Sequence, residues 1–199
     1  MAAEAPRVGE RRPGGRSARV RTDVLAATTE ILTESGYDGL SVDAVAARAG
    51  VHKTTVYRRW PTKAELIADA LSERSEQHVP VPDTGTLTGD LSALARAVAA
   101  NIGSEVGGAM ARTLVAASIT ASDIAETGAS FWAERLERTG VIVERAVARG
   151  EIPKGSDPHV IIEALIGPLY VRLLLTGEPI DATFADRVAA LVAAGARTG

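Results

Sequence analysis

SVDAVAARAGVHKTTVYRRWPTKAELI, residues 41–67, decides how the chain is read. Ser41 suits a helix N-cap, and Val42, Val45 and Ala46 line one side of a short helix that Gly50 ends. Val51 leads into a second short helix over about Lys53–Trp60. Pro61 forces a break, and Thr62-x-x-Glu65 forms a capping box that opens a longer helix to about Glu76. Upstream, a helix runs from about Ala18 or Thr22 to Ser35, with Val24, Leu25, Ile31 and Leu32 on its apolar side and Gly36 as its stop. Two short helices around a tight turn, with another packed behind, are a helix-turn-helix pattern.

The residue types on the second short helix suit a duplex. A recognition helix presents donors to base edges in the major groove while flanking groups grip phosphates. His52, Lys53, Thr54, Thr55, Tyr57 and Arg58 fall within seven residues and supply such donors. Lys63 brings a positive charge to the first turn of the next helix, where a backbone clamp would sit. Trp60 reads as packing between these two helices rather than as a DNA contact.

Charge is divided to match. Residues 1–66 hold 11 Lys and Arg against 8 Asp and Glu, while residues 67–199 hold 11 against 17. A modestly basic N-terminal unit is joined to an acidic one, a two-function arrangement that the overall −3 conceals. There is no cysteine, and His52, His78 and His159 lack ligand spacing, so no metal and no cofactor are expected. Neither a G-x-S-x-G elbow nor a phosphate-binding glycine loop is present, which argues against an enzyme. The first residues have no apolar signal-peptide core and read as a disordered basic arm over 1–17 of a cytoplasmic protein. Val160–Leu175 is apolar but is interrupted by Glu163, Gly167-Pro168 and Arg172. It reads as a buried helix too short to span a bilayer, and no membrane partner is expected.

Thr22–Ala70 resembles the DNA-binding domain of TetR-family transcriptional regulators. The likeness rests on Ala26, Ile31 and Gly36-Tyr37, on Ser41–Val51, on Thr55-Val56-Tyr57 and on Trp60–Leu66. It implies that Tyr57 and Lys63 contact phosphates and that the Ser41 hydroxyl touches the backbone. The base-reading positions then fall on His52, Lys53, Thr54, Thr55 and Arg58. Trp60 replaces a usual phenylalanine, and Thr54 stands where many members carry glycine. Arg16, Arg19 and Arg21 either reach the neighbouring groove as a basic arm or remain disordered.

The remainder, 67–199, follows a helix-turn-helix domain over 18–66, with the Pro- and Gly-rich stretch 78–89 near the boundary. Helices are expected at about 87–103, 107–120, 121–149, 157–176 and 181–197, with Gly103, Gly107 and Gly108 in a turn. No strand alternation occurs, so the fold is all-α: a three-helix DNA-binding domain followed by a helical ligand-binding and dimerisation domain. The apolar helix near 160–175 and the 184–192 stripe suit a four-helix homodimer interface, with Ile161, Leu165, Leu169, Phe184, Val188 and Leu191 as its residues. Gly167–Tyr170 through Pro179 also looks like the penultimate helix of one large TetR subgroup. The resemblance further implies a pocket for a small-molecule effector. Met110, Leu114, Phe131, Trp132, Leu136 and Tyr170 are candidate wall residues, with Arg112, Arg135 or Tyr170 to orient a polar group. The expected function is a repressor binding a palindromic double-stranded DNA operator as a homodimer and released by ligand. The alternative is a constitutive DNA-binding protein with no internal cavity.

Overall fold

The computed structural model describes residues 15–198, and all regular structure within them is helical. The chain runs α1 (Gly15–Gly39), α2 (Val42–Arg48), α3 (Lys53–Arg59), α4 (Lys63–His78), α5 (Leu87–Gly103), α6 (Glu105–Ser118), α7 (Ser122–Ala148), α8 (Pro158–Val171) and α9 (Ala182–Thr198). A π-turn over Arg172–Thr176 extends α8 and stops at Gly177, in the left-handed region at φ 68°. Most of the expected arm, residues 1–14, lies outside the described residues; Gly15–Ser17 are helical, so α1 begins before the expected Ala18. Gly36, at φ 69°, breaks α1 where the sequence placed its end.

Caps read from sequence are made as hydrogen bonds. Ser41 accepts from Ala44 N, Thr62 from Glu65 N, and Asp157 from His159 N and Val160 N beside Pro158 at the start of α8. Gly107 and Gly108, expected in a turn, instead lie in the first turns of α6. The reason is tertiary: α6 leaves the corner so close to α5 that a Cβ on Gly107 would stand 2.0 Å from the carbonyl oxygen of Asn101.

Two apolar cores organise the molecule. The first joins Val24, Leu32, Val45, Val56, Leu66 and Ile67 of the head to Met110, Ala117 and Ile124 from α6 and α7. The second holds Leu91, Leu94, Ile142, Val143, Ile162, Leu165, Leu169 and Ala189. Helix α4 serves both sides of the junction. Leu66, Ile67 and Ala70 pack in the head, and Leu71, Arg74 and Ser75 face a cavity in the larger domain.

Pro158–Thr176 is the one helix among the described residues long and apolar enough to cross a membrane, by length and composition only. This corrects the expectation that it is too short. Its inner side, Ile161, Ile162, Leu165 and Leu169, is nonetheless spent on the core.

Candidate nucleic-acid interface and effector cavity

Helix α3 has seven residues and a single fully buried anchor, Val56, at 0% exposure. That one contact fixes its outer side: His52, Lys53, Thr54, Tyr57, Arg58 and Arg59 are exposed and Thr55 is partly so. His52 is the N-cap, its Nδ1 accepting from Thr54 N and lying 2.9 Å from Thr54 Oγ1. With Nδ1 engaged as acceptor, the neutral ring carries its proton on Nε2, a donor for a base edge or phosphate. Arg59 stacks on Trp60, 5.2 Å from the ring centre. Trp60 is 4% exposed and donates from Nε1 to Asp69 Oδ2 at 3.0 Å, so its place is packing.

The proposed clamp residues differ in setting. Tyr57 is free at 45% exposure. Lys63 is half-buried, with Nζ donating to the Tyr37 carbonyl and lying 3.6 Å from the centre of the Tyr37 ring. Of the arm arginines, Arg19 is exposed, whereas Arg21 is not free to enter a groove. Its guanidinium pairs with Asp69 and Glu73 of α4, and the hydrogen bond to Asp69, against the opposing effect of burial, raises its pKa.

In the larger domain Met110, Leu114, Phe131, Trp132, Leu136, Tyr170 and Arg135 surround one cavity of about 130 Å³. Trp132 meets Phe131 and Tyr170 edge-on, at 5.5 and 5.4 Å between ring centres. A second cavity of about 250 Å³ shares Leu71, Leu114, Val115, Gly128 and Trp132 with it and reaches Ile124 in the head's core. Arg112, expected to orient ligand, is exposed and does not line either space. Sequence reasoning missed Arg74 and Asn101, which face the first cavity; only the packing of α4 against α5 and α7 brings them there.

Arg135 is 8% exposed, and its Nη2 donates to the Val79 carbonyl while Nη1 has no partner. Arg74 Nη2 donates to Ser104 Oγ at 3.1 Å, and its Nε has no partner either. Burial pushes both guanidinium pKa values down, and Arg138 pushes Arg135 further the same way. Burial also pushes the Tyr170 phenol up to about 12, against the pull of Arg135.

The six expected dimer residues take different settings in the protomer. Ile161, Leu165, Leu169 and Val188 are 0–9% exposed inside the protomer's own core, so they offer nothing to a second copy. Phe184 is half-buried under Arg172, 3.4 Å from its ring centre, and Leu191 is 75% exposed. The free apolar side of α8 is displaced from the predicted one: Val160, Ala164, Val171 and Leu175.

Comparison with known proteins agrees with this architecture. Residues 24–70 match the family described as "Bacterial regulatory proteins, tetR family", and residues 81–192 match "Tetracyclin repressor-like, C-terminal domain". The HTH-type transcriptional regulator AqdR of Rhodococcus erythropolis is 33% identical over 181 residues, covering 90% of this chain and 86% of that protein. The DNA-binding transcriptional repressor TetR of Mycobacteroides abscessus is 35% identical over 171 residues, covering 83% and 87%. The solved TetR family transcription regulator SCO0332 superposes with a TM-score of 0.73 at 31% identity, over 89% of this chain and 98% of that one. With helix-turn-helix head, helical second domain and relatives matched over most of their length in agreement, the chain belongs to the TetR family of DNA-binding transcriptional regulators.

Proposed function

We propose that this regulator is a cytoplasmic repressor that binds a palindromic operator as a homodimer and is released by a small molecule in the α4–α8 cavity. The observation that carries this reading is the double duty of Met110. Its side chain packs in the head's core and also lines the cavity, so an occupant there presses on a residue of the core where α6 meets α1. Ligand binding then shifts a population: it favours an arrangement in which the two α3 helices no longer fit successive major grooves, about 34–36 Å apart. The cavity also argues against a constitutive DNA-binding protein, for which no such space is needed.

Selection of binding sites from a random duplex library at two salt concentrations tests the DNA half of the reading. An inverted repeat with half-sites about one helical turn apart supports a dimeric reader. Binding without sequence enrichment that vanishes as salt rises means phosphate attraction alone. The recovered operator then becomes the probe for ligand-driven release.

A further inference from the structure

The chemistry of the cavity restricts what it can hold. Its walls are mainly Leu, Val, Ile, Met and aromatic side chains, and no Asp or Glu is among them. Two guanidinium groups nevertheless reach the same space. Among the described residues neither Arg74 nor Arg135 forms an ion pair with a carboxylate. Glu76, the acidic neighbour on α4, is taken by Arg138 at 3.0 Å. Each guanidinium keeps one buried N–H without a partner, Nε of Arg74 and Nη1 of Arg135, and the side-chain oxygen of Asn101 in the same wall is also unmatched. Buried charges are ordinarily paired, and buried donors are ordinarily satisfied. One orphan atom is a local irregularity; three on side chains that line one cavity, two of them cations with no carboxylate beside them, set the chemistry that this space favours.

We infer that the effector is a carboxylate on a largely apolar body, its head between Arg74 and Arg135 and its body running along Leu114 and Trp132 toward the second cavity. This rests on the reading of the cavity as the effector site and adds the ligand's chemical class. A carboxylate has two oxygens for two guanidiniums and forms charge-assisted hydrogen bonds with them. A neutral amide would meet one unmatched N–H with its oxygen and turn its own N–H groups toward the other. A primary amine would add a third buried cation. Asn101 Oδ1 remains to accept from a hydroxyl or amide N–H near the head. Size is bounded as well: a cavity of about 150 Å³ takes a benzene ring, so the two neighbouring spaces together hold on the order of 15 non-hydrogen atoms. The second space touches Ile124 and Leu71 of the head's core, so the apolar end of such a molecule lies where occupancy is felt by the DNA-binding unit.

Isothermal titration of the full chain tests this with matched pairs: benzoate, 4-butylbenzoate, 2-naphthoate and decanoate, each beside its primary carboxamide. At least one acid should bind once per protomer, about tenfold or more tighter than its amide. Arg135→Gln should abolish that preference, and Arg135→Lys should restore part of it. Because Arg135 also holds the Val79 carbonyl, Arg74→Gln serves as the second variant and should lower the preference on its own. If amides bind as tightly as acids, or if acid binding ignores both substitutions, the carboxylate assignment is wrong while the effector cavity stands. If neither series binds, both the assignment and the sensor reading fall.

Discussion

Lys63 at the start of α4 is bound to Tyr37 at the kinked end of α1, through the Tyr37 carbonyl and the face of its ring. The Tyr37 hydroxyl lies 3.5 Å from Asp123 in the first turn of α7. Three helix ends therefore meet at one tyrosine, two from the head and one from the cavity-bearing domain. Burial lowers the Lys63 pKa, and Asp38 and Asp123 oppose it, so the ammonium is held with incomplete solvation. On a duplex, a phosphate offers this group a stronger partner than a carbonyl oxygen. Lys63→Ala should weaken binding to all sequences by about 1 kcal/mol, roughly fivefold, and reduce the slope of log K against log salt by about one. An unchanged slope in a fluorescence-anisotropy salt series would remove Lys63 from the docking surface.

Trp60, Asp69 and Arg21 form a second cross-brace. Asp69 accepts from both Trp60 Nε1 and the Arg21 guanidinium, tying the α3–α4 corner to α1. Trp60→Phe keeps most of the buried surface and deletes one hydrogen bond, so it should cost about 1 kcal/mol in urea unfolding. Operator affinity measured well below the melting transition should be unchanged, because the indole faces inward. A specific loss of DNA binding without loss of stability would place Trp60 at the duplex instead.

What the sequence disclosed follows the range of the forces involved. Ser41, Thr62 and Asp157 were readable as caps because a cap is completed within three residues. Lys53, Thr54 and Tyr57 were readable as outward-facing because a seven-residue helix with one inward valine has few ways to turn. The inward side of α8 was not legible because a helix apolar nearly all round has no stripe to read. Ile161, Leu165 and Leu169 and their neighbours Val160, Ala164 and Val171 differ only in which set meets α5, α7 and α9. Arg74 and Asn101 resembled ordinary polar surface positions, and only tertiary packing turns them inward. Gly107 and Gly108 suggested a turn, since glycine pairs usually interrupt helices. The 2.0 Å approach to Asn101 O shows why an undisturbed helix needs glycine there.

Glu151 reaches back across 64 residues to accept from Leu87 N at 2.9 Å, satisfying a free donor in the first turn of α5. That hydrogen bond holds its carboxyl pKa below the ordinary 4.5 against the opposing effect of burial, with the pairing to Arg149 adding to it. A depressed folded-state pKa means that the unfolded chain binds more protons in this window. The stabilisation is therefore complete above 4.5 and is lost as pH falls through the lowered folded value. Glu151→Ala should cost about 1 kcal/mol near pH 7, and the gap from wild type should close in strong acid. Urea midpoints across the acid range check this; a gap that widens on acidification would contradict the sign.

Leu175 and Leu191 are 80% and 75% exposed, on the π-turn after α8 and on α9. Val160 and Val171 are 59% and 46% exposed, so α8, its π-turn and α9 each carry apolar surface that a lone protomer leaves in water. If a second copy covers it, a charge there must be buried without a partner, while the protomer's own core is untouched. Leu175→Asp with Leu191→Asp should therefore sediment as a folded monomer with an unchanged helical circular-dichroism spectrum. Its operator affinity should collapse, because a single head grips one half-site. Leu165→Ala and Leu169→Ala probe the opposite side of the same helix, where both residues are 0% exposed. Each should cost about 2–5 kcal/mol of protomer stability, as truncations that leave a core cavity do. If the aspartate pair remains dimeric while Leu165→Ala dissociates, the outward face is not the interface and the assembly uses another surface.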